Sequence, residues 1–547
     1  MGRRRPGGTS LIERVRIRGY RKFRDLDFRP HAEFNVLVGN NQSGKSTLLE
    51  AISLAVTGRI DGRPASEELH PYWFNREDVA AFFAARAAGA TPAPPTISIE
   101  VTLQSRPEFA ELVGADDLLQ PTGHAPGVRL VVRLNDEYQK EFDAYVGDPK
   151  TALLPTDYYV VEWSSFQNVT LTRRPRALRL AMIDSRTVRS GAGMDYHLRR
   201  VIGEHLTADE QTTISAAFRQ VKETLATEHL TGVNTKLASG DELLDGGRVS
   251  LAMDHSSRTS WDNSVIPHVD DVPFALAGQG QQAVAKIVLA MRRHAEAAGA
   301  VMVEEPENHL SHSNLNVLLD RIEALAHPEQ QVFITTHSSF VLNRLGIDRL
   351  RLVSDGTVQP FDALPSDTVD YFRKLPGFDT LRLVLADRLV LVEGPSDELL
   401  FERFYCDRYG HRPLHDGIDV FSMRGLSQKR FLQLAKLAGK RCVILSDNDD
   451  RQQPDLDAVV AELGDLISQD RKLLFGTVGH GTTLEPQILH VNPVDTLRTV
   501  LDRAAHVDIR TWMGNNKTEA ALRIADSTTT LTAPSYFVKA MEFIHER

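Results

Sequence analysis

The stretch Val38–Glu50, VGNNQSGKSTLLE, decides the N-terminal fold. The apolar run FNVLVG leading into it reads as a short strand, and STLLEAISLAV after the lysine has apolar residues at helical spacing. The segment is therefore strand, loop, helix. Gly39, Gly44, Lys45 and Ser46 complete the pattern G-x-x-x-x-G-K-S/T. Glycines in such a loop let backbone N–H groups cradle phosphate at a helix N-terminus, the lysine reaches the β- and γ-phosphate oxygens, and the serine supplies a magnesium ligand. Asn41 in this loop and Thr47 at the start of the helix are also expected among the ATP contacts.

Two later segments supply what ATP chemistry also needs. AVMVEEPENHL is an apolar strand ending in acids, where Glu304 would hold magnesium and Glu305 would orient the attacking water. QVFITTHSS ends a further strand with His337, placed as a γ-phosphate sensor. The order and wording resemble the ATP-binding-cassette type head of RecF-like and SMC-like ATPases. That resemblance implies that LAGQGQQ, with Gly278, Gly280 and Gln282, is the signature that meets the γ-phosphate of a partner head, so that ATP closes a pair of heads. Three departures stand out. Glu304 replaces the usual Walker B aspartate, Gln42 replaces a common glycine, and the signature serine is not evident. The longer glutamate arm implies slow hydrolysis, with nucleotide serving more as a sensed ligand than as a fuel.

Outward from this core, IERVRIRGYRKFRDLDF alternates with period two, as a half-buried strand or hairpin does, and Ala84–Thr96 reads as a loop. From Arg173 to Leu244 the spacing turns helical, as in MDYHLRRVIGEHL, which marks an insertion suited to permanent dimerisation. The expected organisation is an α/β chain: an ABC-type ATPase head over 1–170 and 263–375, an inserted helical dimerisation region over 171–262, and a Rossmann-like domain with a C-terminal helical extension over 384–547. There is no internal repeat and no heptad pattern, hence no long coiled-coil arm. The 547 residues carry a net charge of -10, which argues against a chain-wide polyanion surface and leaves only local basic segments, RVRIRGYRKFR and LTRRPRALRL, as candidates for DNA backbone contact. Apolar runs fall short of the roughly 20 residues a membrane span needs, and MGRRRPGGTS lacks the apolar stretch of a secretory signal, so a cytoplasmic protein without membrane contact is expected. Cys406 and Cys442 are wrongly spaced for zinc and read as reduced, structural thiols.

The second constellation is acidic. RLVLVEGPSDELLFERFY puts Glu393 at the tip of an apolar strand with Asp397 in the next turn, and KRCVILSDNDD ends another strand with Asp447 and Asp449, which share a side if the strand continues. Together they resemble the TOPRIM domain of topoisomerases, primases and nucleases. Clustered carboxylates repel one another without divalent cations, and two such cations about 4 Å apart activate water and stabilise a leaving oxygen. Oxygen ligands suit Mg2+ or Mn2+. Downstream, GTTLEPQIL offers Glu485 and GNNKTEAALRI offers Lys517, a cation for the charge on a phosphate in transfer, while Asp450 and Glu519 read as surface charges.

An ABC-type ATPase followed by a TOPRIM domain resembles the OLD (overcoming lysogenization defect) family of nucleases, which includes the nuclease subunit of the Gabija anti-phage system. The resemblance spans Ile12 to Lys517 and implies Glu393, Asp397, Asp447, Asp449 and Glu485 as metal ligands, with Lys517 as the late lysine. It implies ATP-regulated, metal-dependent nicking or cutting of DNA, a homodimer or higher homo-oligomer, and a helicase-like partner protein. Two rivals stay open: a RecF-like DNA-binding ATPase with a degenerate TOPRIM scaffold, and a nucleotide-controlled toxin nuclease acting on RNA.

Overall fold

The computed structural model describes residues 11–546 except 61, 149–150, 176, 185–205, 239–249, 257–259, 262–265, 267, 295–298, 309, 326–329, 376–378 and 426. The chain forms two compact units, Met1–His337 with Val353–Val358, and Ser338–Leu352 with Gln359–Arg547.

In the first unit the period-two alternation becomes a real hairpin. Ile12–Tyr20 pairs antiparallel with Phe23–Phe28, and Tyr20 opposes Phe23 across the turn. The sheet continues through Ile97–Leu103 and His124–Leu134 to Val113–Ala115, with Tyr159–Ser165 on the far side of His124–Leu134. Val15 and Ile17 are fully buried on one face, sharing a core with Ile99, Val101, Val128 and Leu130 and with Leu48, Leu49, Ile52 and Ala55 of the helix Lys45–Thr57. Burial of each large side chain contributes roughly 1.5–3 kcal/mol, which seats the phosphate-loop helix firmly on this sheet.

The other face of Ile12–Tyr20 carries Arg14, Arg16 and Arg18, and these three arginines of the candidate DNA-contacting segment are engaged within the protein. Arg16 and Arg18 meet the buried Asp117 at 2.5 and 2.9 Å, Arg129 lies 3.7 Å from the buried Glu100, and Arg14 Nε donates to Asp27 at 2.7 Å. These guanidinium groups are committed to acids from other strands and loops. The expected loop over Ala84–Thr96 also starts later, because the helix Arg76–Ala87, capped by Asn75, runs on through three of its alanines and an arginine, residues that favour helix.

Four parallel strands lie side by side in the order Arg179–Asp184, Gly299–Glu304, Gln330–Thr335, Phe34–Val38. Register places Glu304 opposite Thr335 and Thr335 opposite Leu37, so the ends that carry Glu304, His337 and Gly39 lie at one edge of the sheet. The helical region expected over 171–262 is corrected at its start, where Arg179–Asp184 is a strand of this sheet; further on, the helix Ala208–Thr224 is capped reciprocally by Thr207 and Glu210, and Thr231–Ala238 follows. The segment MDYHLRRVIGEHL lies outside the described residues, apart from its last leucine. No helix among the described residues is long and apolar enough to cross a membrane.

The second unit holds a four-stranded parallel sheet in the order Ile418–Ser422, Arg388–Val392, Arg441–Ser446, Arg471–Phe475. From Arg388–Val392 the chain moves to one side for its second strand and to the other for its third, so a topological switch point opens between the carboxyl ends of the two central strands, where open α/β sheets bind ligands. Glu393 and Asp447 are the residues that leave those two strands. The helix Ser535–His545 closes the unit, packing Phe537, Ala540, Met541 and Ile544 into its core.

Candidate functional site

In the first unit the loop between Phe34–Val38 and Lys45–Thr57 is built for close approach. A Cβ on Gly39 would lie 2.4 Å from Ser43 Oγ and 2.3 Å from the Val353 carbonyl, and Gly44 adopts φ 110° to open the helix, a conformation side chains rarely tolerate. Gln42, which departs from the glycine pattern, takes φ 65° all the same. Lys45 is buried and donates to the carbonyls of Gly39 and Asn40 at 2.9 and 3.3 Å; Asn41 and Ser46 are exposed and Thr47 half-buried beside it. Across the sheet edge, Glu304 and Glu305 are buried, and Glu305 takes φ 43° as its N–H donates to Thr335 O. His337 Nε2 lies 3.3 Å from Glu305 Oε1, while Asn308 donates to the other Glu305 oxygen at 2.9 Å. Glu307, which the sequence reading passed over, accepts from Thr336 Oγ1 and from the His337 N–H and so fixes the histidine's backbone. Its signal was its place in EEPENH, three residues after the strand end. In the signature segment, Gly278 is exposed and Gly280 half-buried, but Gln282 is buried with its amide donating to Ala277 O at 2.8 Å. Gln282 thus sits in the first turn of the helix Gln279–His294 and ties it to the residue before the signature glycines.

In the second unit Glu393, Asp397, Asp447, Glu485 and Lys517 surround the switch point. Glu393 Oε1 accepts from Ser446 Oγ and, at 3.0 Å, from the Asp447 N–H. Asp397, in the first turn of the helix Pro395–Tyr409, accepts from the Gly394 N–H at 2.9 Å. Burial, with the charges of Glu393 and Glu485 adding to it, pushes the Asp397 carboxyl up to about 6. Asp447 goes further, to about 8, through burial and the charges of Glu393 and Asp397, against which Lys517 pulls the other way. Glu485 is buried, accepts from Thr483 Oγ1, and pairs with Lys517 at 3.4 Å. Tyr536 of the closing helix was missed from sequence; burial and then the charges of Asp397, Asp447, Glu393 and Glu485 raise its phenol well above its ordinary value, which places it beside the acids. No local pattern could have linked it to them.

Asp449 requires a correction. The strand ends at Ser446, so Asp449 does not share the side of Asp447. Residues 448–451 form a tight turn closed by Arg451 N to Asn448 O at 2.9 Å, with φ 48° at Asp449 and 63° at Asp450, and Asn448 Oδ1 accepts from the Asp450 N–H at 3.1 Å. Asp449 is exposed, with Arg451 3.8 Å away. Asn448 is buried and donates to the carbonyls of Gly476, Thr477 and Gly481, tying the turn to the loop after Arg471–Phe475.

Among the described residues no three His, Cys, Asp or Glu side chains converge closely enough to hold a metal ion. The remaining acids lie near enough to one another that their charges raise Asp397 and Asp447. Their chemistry nonetheless fits a metal ion: the donors are all oxygen, and the negative charge that raises Asp447 is what a hard divalent cation neutralises.

Residues 384–449 match the model of the "Overcoming lysogenization defect protein-like, TOPRIM domain" family. The chain carries an OLD-like TOPRIM domain. Ahead of the TOPRIM domain, residues 14–106 match an AAA domain and residues 244–343 an "AAA domain, putative AbiEii toxin, Type IV TA system". An AAA-type ATPase domain thus precedes an OLD-like TOPRIM domain, the order that the resemblance to the OLD family implies. Among solved structures, the C-terminal regions of the OLD proteins of Xanthomonas campestris pv. campestris and Burkholderia pseudomallei are 18% and 19% identical; each match covers 29% of this chain and 93% or 98% of theirs, with TM-scores of 0.23 and 0.22. The SMC head domain from Thermotoga maritima is 13% identical over 64% of this chain and 98% of its own, with a TM-score of 0.30. No curated protein matches the sequence.

Proposed function

We propose that this chain is an ATP-regulated, divalent-metal-dependent DNA endonuclease that acts in anti-phage defence. The observation that carries the reading is the set of acids at the switch point of the TOPRIM domain, with Asp447 raised to about 8 by burial and its acidic neighbours. A scaffold has no need of mutually repelling carboxylates. Glu393, Asp397, Asp447 and Glu485 would hold Mg2+ or Mn2+, and Asp449 would join them only after its turn rotates. When bound, such cations supply activated water and neutralise charge on a phosphodiester. Lys517, about half exposed beside Glu485, would meet the added negative charge of the phosphate in transfer.

In the ATPase domain, Gly39, Asn41, Gly44, Lys45, Ser46 and Thr47 bind ATP with Mg2+. Glu304 is its acidic metal ligand, and Glu305, held by His337 and Asn308, orients water. Nucleotide state then controls DNA access at the TOPRIM domain of a homodimer or larger homo-oligomer, with a helicase-like protein as a further partner. The Gabija nuclease subunit is the system this reading points to.

The test is conversion of supercoiled plasmid by purified protein in Mg2+ or Mn2+, with and without ATP, beside Asp447→Ala. Nicked or linear product that vanishes in the variant is the expected result. Cleavage at the parent rate by Asp447→Ala overturns the metal site, and cleavage of tRNA in preference to DNA moves the reading to a toxin acting on RNA.

A further inference from the structure

The geometry points to a positioning relay behind Glu393, in which Gln428 and Ser446 fix one oxygen of this carboxylate and thereby set the affinity of the site for a divalent cation. It rests on the metal-site reading above. Ser446 is the last residue of Arg441–Ser446 and is 5% exposed; its hydroxyl bonds Glu393 Oε1, and Gln428 Nε2 lies 2.9 Å from Ser446 Oγ. The proton positions follow from chemistry. An ionised carboxylate only accepts, so the single serine proton goes to Glu393, and the serine oxygen takes its own hydrogen bond from the amide of Gln428.

Glu393 Oε1 thus receives two donors, the Ser446 hydroxyl and the Asp447 N–H at 3.0 Å. Its other oxygen makes no hydrogen bond among the described residues. The carboxylate is locked by one oxygen and presents the other. Gln428 opens the helix Gln428–Leu437, so the far end of the relay is anchored to a regular element and not to a loose side chain. The Glu393 main chain is held as well, its carbonyl accepting from the Gly425 N–H at 3.2 Å and from Ser422 Oγ at 3.4 Å. Outer hydrogen-bond partners of this kind orient metal-ligating carboxylates, and their loss costs about 10- to 100-fold in metal affinity.

The experiment titrates Mn2+ into the full chain without DNA, reading free Mn2+ by electron paramagnetic resonance, and records melting temperature in parallel. Ser446→Ala is expected to weaken Mn2+ binding by about 10- to 100-fold, Gln428→Leu to weaken it less, and Ser446→Thr, which keeps the hydroxyl, to bind like the parent. Cleavage by Ser446→Ala should recover at high Mn2+, as Glu393 itself is intact. Unchanged affinity in Ser446→Ala and Gln428→Leu overturns the relay while the metal site stands. Equal losses in Ser446→Ala and Ser446→Thr, each with a lowered melting temperature, assign the position to packing and overturn it too. A parent protein that binds no Mn2+ and cuts nothing overturns the relay together with the metal site beneath it.

Discussion

Two clusters of charge among the described residues are resolved in opposite ways. On the antiparallel sheet of the ATPase domain, Asp117 and Glu100 face Arg16, Arg18 and Arg129, and the hydrogen bond from Arg18 leads in holding the Asp117 carboxyl well below its usual range. At the switch point of the TOPRIM domain, Glu393, Asp397, Asp447 and Glu485 share one lysine, and Asp447 is driven up to about 8. Both clusters are made of ordinary acids next to strands. What separates structure from chemistry is whether the chain supplies the opposite charge itself, and on the reading proposed above the second cluster leaves that task to a divalent cation.

The sharpest way to break this contrast is to remove one acid from each. Asp447→Ala or Glu393→Ala should abolish plasmid cleavage and leave nucleotide binding, read by fluorescent ATP titration, unchanged. Asp117→Ala should do the reverse, sparing the acids of the TOPRIM domain while destabilising the ATPase domain by about 3–5 kcal/mol in urea unfolding, because Arg16 and Arg18 then lose a buried partner. A stable Asp117→Ala protein would show that the arginines find other partners and that the cluster is not closed.

The Asp117 pairing also has a pH signature. Its folded value lies below the unfolded one, so its stabilisation is present above the ordinary aspartate value near 4 and is lost as pH falls through the folded value. The stability gap between parent and Asp117→Asn should therefore be full at pH 7 and narrow below about pH 4. A gap constant down to pH 2 would mean that shape, not charge, holds the arginines.

Smaller effects sharpen the TOPRIM side. Lys517→Met should slow cleavage on the order of a hundredfold if, as proposed, its charge meets that of the phosphate in transfer. Asp449→Ala should cost less than either, given its exposed place on the turn. If Asp449→Ala were as inactive as Asp447→Ala, the turn would have to rotate inward when cation binds.

Much of this was legible in the sequence where it depends on neighbours in the chain. The phosphate loop, the apolar strands and the acids at their tips are local patterns, and the structure places Glu393 and Asp447 on adjacent central strands because parallel pairing aligns strand ends. What stayed hidden depends on distant partners. The arginines of IERVRIRGY look free until Asp117 reaches them from a loop about a hundred residues on, and Tyr536 joins the acids only because the last helix packs back on the sheet. Asp449 was misplaced for a local reason: Asn448 is a strong turn former, and an alternation rule carried past Ser446 overlooks it.

That asparagine sets a limit on mutational drift. In the shorthand D-x-D the middle letter is a wild card, yet Asn448 spends both amide hydrogens on the carbonyls of Gly476, Thr477 and Gly481 and its oxygen on the Asp450 N–H. Aspartate would turn two donors into acceptors against carbonyls, and glutamine is one methylene too long for the turn. The spacer tolerates fewer of the twenty amino acids than its place in the shorthand suggests.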